Sequence, residues 1–152
     1  MTKQNYQKTI TVSASPEDVY RALTTGFEHW WTAPDKPIRQ EGDISKFSFS
    51  DRHGHWTFKA TQLSPERIEM ICIDARHVHA GQPPKIETEW FDTRIIWQIA
   101  PQSDKTTIHF EHDGLTPNLH CYAICEAGWD LFFVDSLKSY LDTGVGKPFK
   151  AD

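Results

Sequence analysis

The sequence has no Lys/Arg block. Its 16 basic residues are outnumbered by 21 acidic ones, a net charge of −5, so the electrostatic footprint of a nucleic-acid binder is missing. No apolar run approaches the roughly 18 residues that a membrane span needs. No apolar h-region follows Met1, Thr2 and Lys3. Cysteine is scarce and odd in number, three residues at Cys72, Cys121 and Cys125, which does not suit a secreted disulfide framework. There is no Gly-x-Ser-x-Gly elbow and no Gly-rich phosphate loop, which leaves nucleophilic hydrolysis and nucleotide binding without a motif. Repeats, low-complexity segments and interdomain linkers are also missing. The expectation is one soluble, reduced, cytoplasmic domain over residues 1–152, with no nucleic-acid or membrane partner. A chain of this length can bury a core without disulfides or metal.

Aromatic residues are plentiful, at 12% with six tryptophans. They are spread over a chain that reads as strand, two short helices, about five strands and one long helix. Tyr6 to Ser13 alternates as a half-buried strand. Ser15, Pro16 and Asp18 form a helix start, with Ser15 as the cap and Pro16 at the first helical position. That helix runs to about Thr24. Phe27 to Trp31 reads as a second short helix, and Pro34 and Pro37 force a loop.

The β pattern begins at Ile44 and runs to Ser50. A turn at Arg52, His53 and Gly54 leads into Trp56, Phe58 and Ala60 on one face. A second turn at Ser64, Pro65 and Glu66 leads into Ile68, Met70 and Cys72. Ala75 to Thr88 reads as a loop. Glu89 to Ile99 reads as a strand with Thr93, Ile95, Trp97 and Ile99 on one face. Thr106 to His112 follows, with Ile108, Phe110 and His112 on one face.

An apolar-periodic segment then runs from about Asn118 to Leu141. Tyr122, Cys125, Trp129, Phe132, Phe133, Ser136, Leu137 and Tyr140 share its apolar side, and Glu126, Asp130 and Lys138 fall mostly on the other. Gly128 beside Trp129 costs about 1 kcal/mol of helix propensity, for which close backbone approach to a sheet is the expected reason. Gly144 stands where a C-terminal stop belongs. Antiparallel strands joined by short turns and one long helix give an α+β fold, a curved sheet of about six strands wrapped around the C-terminal helix.

Several residues carry candidate chemistry. His53 with His55, and His77 with His79, each put two imidazoles on one face if extended, but neither pair completes a zinc ligand set. Cys121 and Cys125 are four apart, a spacing open to a metal, and free cysteine more often packs as a small apolar residue. The expectation is no metal and no cofactor. His112 and His120 fall at the strand–helix junction, where a histidine could anchor a ligand or act as a base. The alternative for His112 is a tie between loop and helix through hydrogen bonds. Arg94, alone in an apolar strand, is expected to face solvent. Buried indoles want partners for their N–H groups, so some of the tryptophans should border a polar or wet cavity.

The run from Thr9 to Tyr20, TITVSASPEDVY, resembles the opening of START-like (SRPBCC) helix-grip proteins. Thr93 to Trp97, His112 to Leu115, Gly128–Trp129, Ser136–Leu137 and Tyr140–Leu141 resemble the branch related to the activator of heat-shock protein 90 ATPase. The resemblance covers essentially the whole chain. It implies a curved sheet gripping a long helix, often around an apolar cavity, and members that bind lipids, hormones or polyketides, cyclise polyketides or act on chaperones. The expected function is therefore non-catalytic binding of a small apolar or aromatic molecule between sheet and helix. The expected lining is Trp56, Phe58, Met70, Trp97, Phe110, His112, His120, Cys125, Trp129 and Phe133. The alternatives are a cyclase or aromatase using the same cavity, and a chaperone-regulating module with a protein partner.

Overall fold

The computed structural model describes residues 4–49, 54–78 and 81–149. Strand β1 (Tyr6–Val12) leads into helix α1 (Pro16–Ala22), where the Ser15 side chain accepts from the Asp18 N–H and Pro16 opens the first turn. A single 3₁₀ turn, Phe27–His29, follows. Strands β2 (Ile44–Ser48), β3 (Gly54–Ser64), β4 (Arg67–His77), β5 (Arg94–Gln102) and β6 (Lys105–Asp113) complete one antiparallel sheet, in the order β1-β6-β5-β4-β3-β2. The long helix α2 covers residues 122–143 and lies over one face of the sheet. The expected turn at Arg52 and His53 falls outside the described residues, as does His79.

Alternation decides which sheet face is covered. Phe58, Ile68, Met70, Ile95, Trp97, Ile108 and Phe110 all point into one core. Their cross-strand register, with Trp97 opposite Phe110 and Ile95 opposite His112, stacks the aromatic rings beneath the helix.

The helix itself is not uniform. It is α-helical over Tyr122–Trp129, π-helical over Asp130–Leu137 and α-helical again over Lys138–Thr143. Its buried apolar residues, Cys125, Trp129, Phe133, Leu137 and Leu141, recur every four positions. In a pure α-helix each such step overshoots by about 40°, because a turn takes ~3.6 residues. The wider i→i+5 turns of the π segment absorb the overshoot and keep all five on the sheet side. Gly144 ends the helix at φ +86°.

Three expectations about boundaries are corrected. The segment from Ala75 is not all loop, because β4 runs on through His77 and a 3₁₀ turn forms at Pro84–Thr88. The next strand starts at Arg94, not Glu89. Asp92 adopts a left-handed φ of +70°, which breaks the strand and turns Trp90 inward. The long helix starts at Tyr122, four residues later than its apolar pattern suggests, so His120 precedes it. On that helix, Glu126 and Asp130 are half-buried, not solvated. They accept from the hydroxyls of Tyr122 (3.2 Å) and Tyr6 (2.6 Å).

Candidate functional site

A cavity of about 350 Å³ lies between the N-terminal half of α2, the start of β3 and the end of β4. Its walls are indoles, from Trp31, Trp56, Trp90 and Trp129, together with Phe49 and Phe132. Trp90 and Trp129 stack at 5.8 Å with planes 8° apart. Phe149 joins the wall because the C-terminal tail returns across the helix, where its N–H donates to the Trp31 carbonyl at 2.7 Å. At the mouth, Leu131 is 49% exposed.

Gly128 also lines the cavity, and a Cβ built on it meets nothing within 4 Å. The expected reason for this glycine, close approach to the sheet, is therefore wrong. Its missing side chain leaves cavity space.

Of the ten expected lining residues, Trp56, Cys125 and Trp129 reach the cavity. Phe58, Met70, Trp97, Phe110 and Phe133 do not, because they are wholly buried in the core beneath it. His120 is exposed just before the helix and contributes its backbone N–H to Glu89 Oε2 at 2.9 Å. Arg94 faces out, as expected, and pairs with Glu69 at 2.8 Å.

His112 is wholly buried and does not line the cavity. The Trp129 indole N–H donates to His112 Nδ1 at 3.0 Å. Nε2 must then carry the proton, and it donates to Thr93 Oγ1 at 2.9 Å. The Thr93 hydroxyl in turn donates to the Trp90 carbonyl at 2.6 Å. Every donor and acceptor along this chain is used, so helix, sheet and loop are tied together, and no free nitrogen is left for a general base.

Burial pushes the His112 pKa down to about 3. The unfolded imidazole takes up a proton near pH 6.5, whereas the folded one stays neutral until about pH 3. The unfolded state therefore binds more protons in that window. The stabilisation is complete above pH 6.5 and is lost as the pH falls toward 3, at up to roughly 1 kcal/mol per pH unit. Urea midpoints across this range should fall more steeply for the wild type than for His112→Gln, which keeps one acceptor and one donor but cannot titrate. Equal slopes would mean that the imidazole is not held neutral.

The sequence pattern hides one contributor to the site. In β4, Ile68, Met70 and Cys72 face in, but then Ala75 and His77 do. The register between β3 and β4 slips there, from Phe58 opposite Cys72 to Thr57 opposite Asp74. This β-bulge inserts Ile73 and flips the inward phase. Gly54, opposite His77, permits the close pairing that follows. Its φ is +102°, and a Cβ there would lie 1.7 Å from the Arg76 carbonyl oxygen.

His77 thereby reaches the cavity wall beside Cys125, with its ring 5.3 Å from that of Trp56. The Cys125 and Cys121 sulfurs lie within 4.8 Å of each other. Cys121 is held below the usual thiol range by its bonds with Cys125, His77 and Trp90, and Cys125 is pushed up by Cys121 and by burial. Trp90 Nε1 donates to Cys125 Sγ at 3.2 Å. The Trp56 indole N–H is buried and has no acceptor among the described residues.

Residues 13–142 match the family described as activator of Hsp90 ATPase homolog 1-like protein. The chain belongs to this family. Among solved structures, the Aha1 dimer from Colwellia psychrerythraea is similar at 31% identity and a TM-score of 0.74, covering 94% of this chain and 99% of that one. The protein SSP2350 from Staphylococcus saprophyticus shares the fold at 12% identity and a TM-score of 0.70, covering 97% and 98%. DynU16, a protein in the dynemicin biosynthetic locus, shares it at 20% identity and a TM-score of 0.65, covering 92% of this chain and 48% of its own. No curated protein matches the sequence. The helix-grip architecture expected of an activator of Hsp90 ATPase homolog 1-like protein is thus present in full. Among the described residues, no helix is long and apolar enough to cross a membrane.

Proposed function

We propose that this protein binds a small, mainly apolar or aromatic molecule in the indole-walled cavity, without transforming it. The cavity's size and lining carry the reading. About 350 Å³ falls in the range of small-molecule sites, which combine apolar walls with a few polar groups. The closed bonding of His112 removes the base that the cyclase or aromatase alternative would draw on there, which leaves His77 as the imidazole at the cavity wall. The partner-binding alternative draws on Leu131, exposed at the mouth, and on the relative solved as a dimer.

A panel of fatty acids, phenolics and aromatic polyketide-like compounds provides the test. A true ligand should quench or shift tryptophan fluorescence and raise the melting temperature. At a hundredfold excess over the dissociation constant, it should stabilise the fold by about 2.7 kcal/mol. Gly128→Leu should fill the cavity and abolish the response. It should not unfold the protein, since the site has room for a Cβ and leucine is the better helix former. If no compound acts on the wild type and sedimentation shows a self-associating chain, the partner-binding reading takes over.

A further inference from the structure

His77, Cys121 and Cys125 are all buried, and one ligand atom from each lies within 4.8 Å of the others. They come from two elements far apart in sequence, the end of β4 and the head of α2. We infer that these three residues form a binding site for a single zinc-class divalent metal ion, with its fourth coordination position turned toward the indole-walled cavity.

The donor set fits such an ion. Two thiolates and an imidazole suit zinc by softness and by geometry. Zinc–sulfur bonds near 2.3 Å and zinc–nitrogen bonds near 2.0 Å put tetrahedral ligand atoms about 3.5–4 Å apart. Closing from within 4.8 Å to that spacing takes about an ångström, within the reach of side-chain torsions. Simple apolar packing of two cysteines would need no polar neighbours. Here the Trp90 indole N–H donates to Cys125 Sγ at 3.2 Å. Such an N–H···S bond orients a thiolate and supports its charge at metal centres.

The set also has a natural shape. Cys121 and Cys125 are four apart where the chain is already helical, since the Cys125 N–H donates to the Cys121 carbonyl at 2.8 Å. Both sulfurs therefore lie on one side, with His77 facing them from the sheet. Glu89 is drawn away from a ligand role, because its two oxygens accept from the N–H groups of His120 and Cys121, each at 2.9 Å. His77 and Cys125 are part of the cavity wall. Three protein ligands with one position open is the pattern of zinc sites that hold water or an exogenous ligand, not of closed structural sites. The metal site does not depend on the small-molecule reading, and its test uses metal alone.

The test is titration of the reduced, metal-stripped full chain with Co²⁺, followed by displacement with Zn²⁺. One equivalent of cobalt should give tetrahedral d–d bands and a sulfur-to-cobalt charge-transfer band, both erased by zinc. Cys121→Ser and Cys125→Ser should each lose one sulfur's share of the charge-transfer intensity and weaken binding beyond the roughly 10–100-fold cost of losing an outer-shell partner. Cys72→Ser should leave both unchanged, because that buried thiol lies elsewhere and hydrogen-bonds to the Asp74 carbonyl. Zinc should also protect Cys121 and Cys125 of the wild type from alkylation, a readout that needs no variant to fold. A wild-type chain with verified free thiols that shows no cobalt bands would overturn the site. So would bands that survive in the Cys121→Ser, Cys125→Ser double variant.

Discussion

Removal of residues 118–152 is expected to abolish cooperative unfolding. The helix supplies Cys125, Trp129, Phe133, Leu137 and Leu141 to the core, and without it Phe58, Met70, Trp97 and Phe110 on the sheet would meet water. Each large apolar side chain returned to water costs about 1.5–3 kcal/mol. The loss over both surfaces exceeds the roughly 5–15 kcal/mol that holds a typical domain folded. Polar ties are lost as well, including Ser136 Oγ to the Trp30 carbonyl at 2.7 Å and the Tyr6 hydroxyl to Asp130. The truncated chain should bind a hydrophobic dye and lack a sharp thermal transition. A cooperative melt of that fragment would show that the sheet closes its core without the helix.

That dependence was legible because the helix carries the longest apolar periodicity in the chain. The sheet was equally open to reading, since Phe58, Trp97 and Phe110 alternate cleanly with solvent-facing neighbours. The site was less so, for reasons that lie in backbone irregularities. Alternation read from Ile68 to Cys72 loses phase at the bulge around Ile73, so His77 could not be assigned to the interior. Trp90 looked like a strand residue, whereas the left-handed Asp92 ends the strand and swings the indole into the cavity wall. Phe149 lies in a tail whose return across the helix has no local pattern. Nothing in the spacing of the two cysteines and His77 links a strand end to a helix 44 residues further on.

The phase of the long helix leaves a second signature, the position of Trp129. Trp129→Ala is expected to cost about 3–5 kcal/mol, the usual range for truncating a buried aromatic. Its ring is only 2% exposed and meets Phe110 at 4.5 Å, Trp31 at 5.1 Å and Trp90 at 5.8 Å. The change also strips His112 Nδ1 of the Trp129 donor, and leaving a buried acceptor unpaired costs about 1–3 kcal/mol. The two costs do not simply add, because water entering from the adjoining cavity can satisfy the nitrogen. Trp129→Phe separates them, since it keeps an aromatic ring and loses the N–H. It should fall between Trp129→Ala and Leu131→Ala, an exposed neighbour whose truncation should stay within about 0.5 kcal/mol. Urea unfolding of the three variants gives the order directly. A Phe variant as stable as the wild type would mean that the indole–imidazole bond adds nothing. An Ala variant no worse than Leu131→Ala would mean that the helix presents a different face to the sheet.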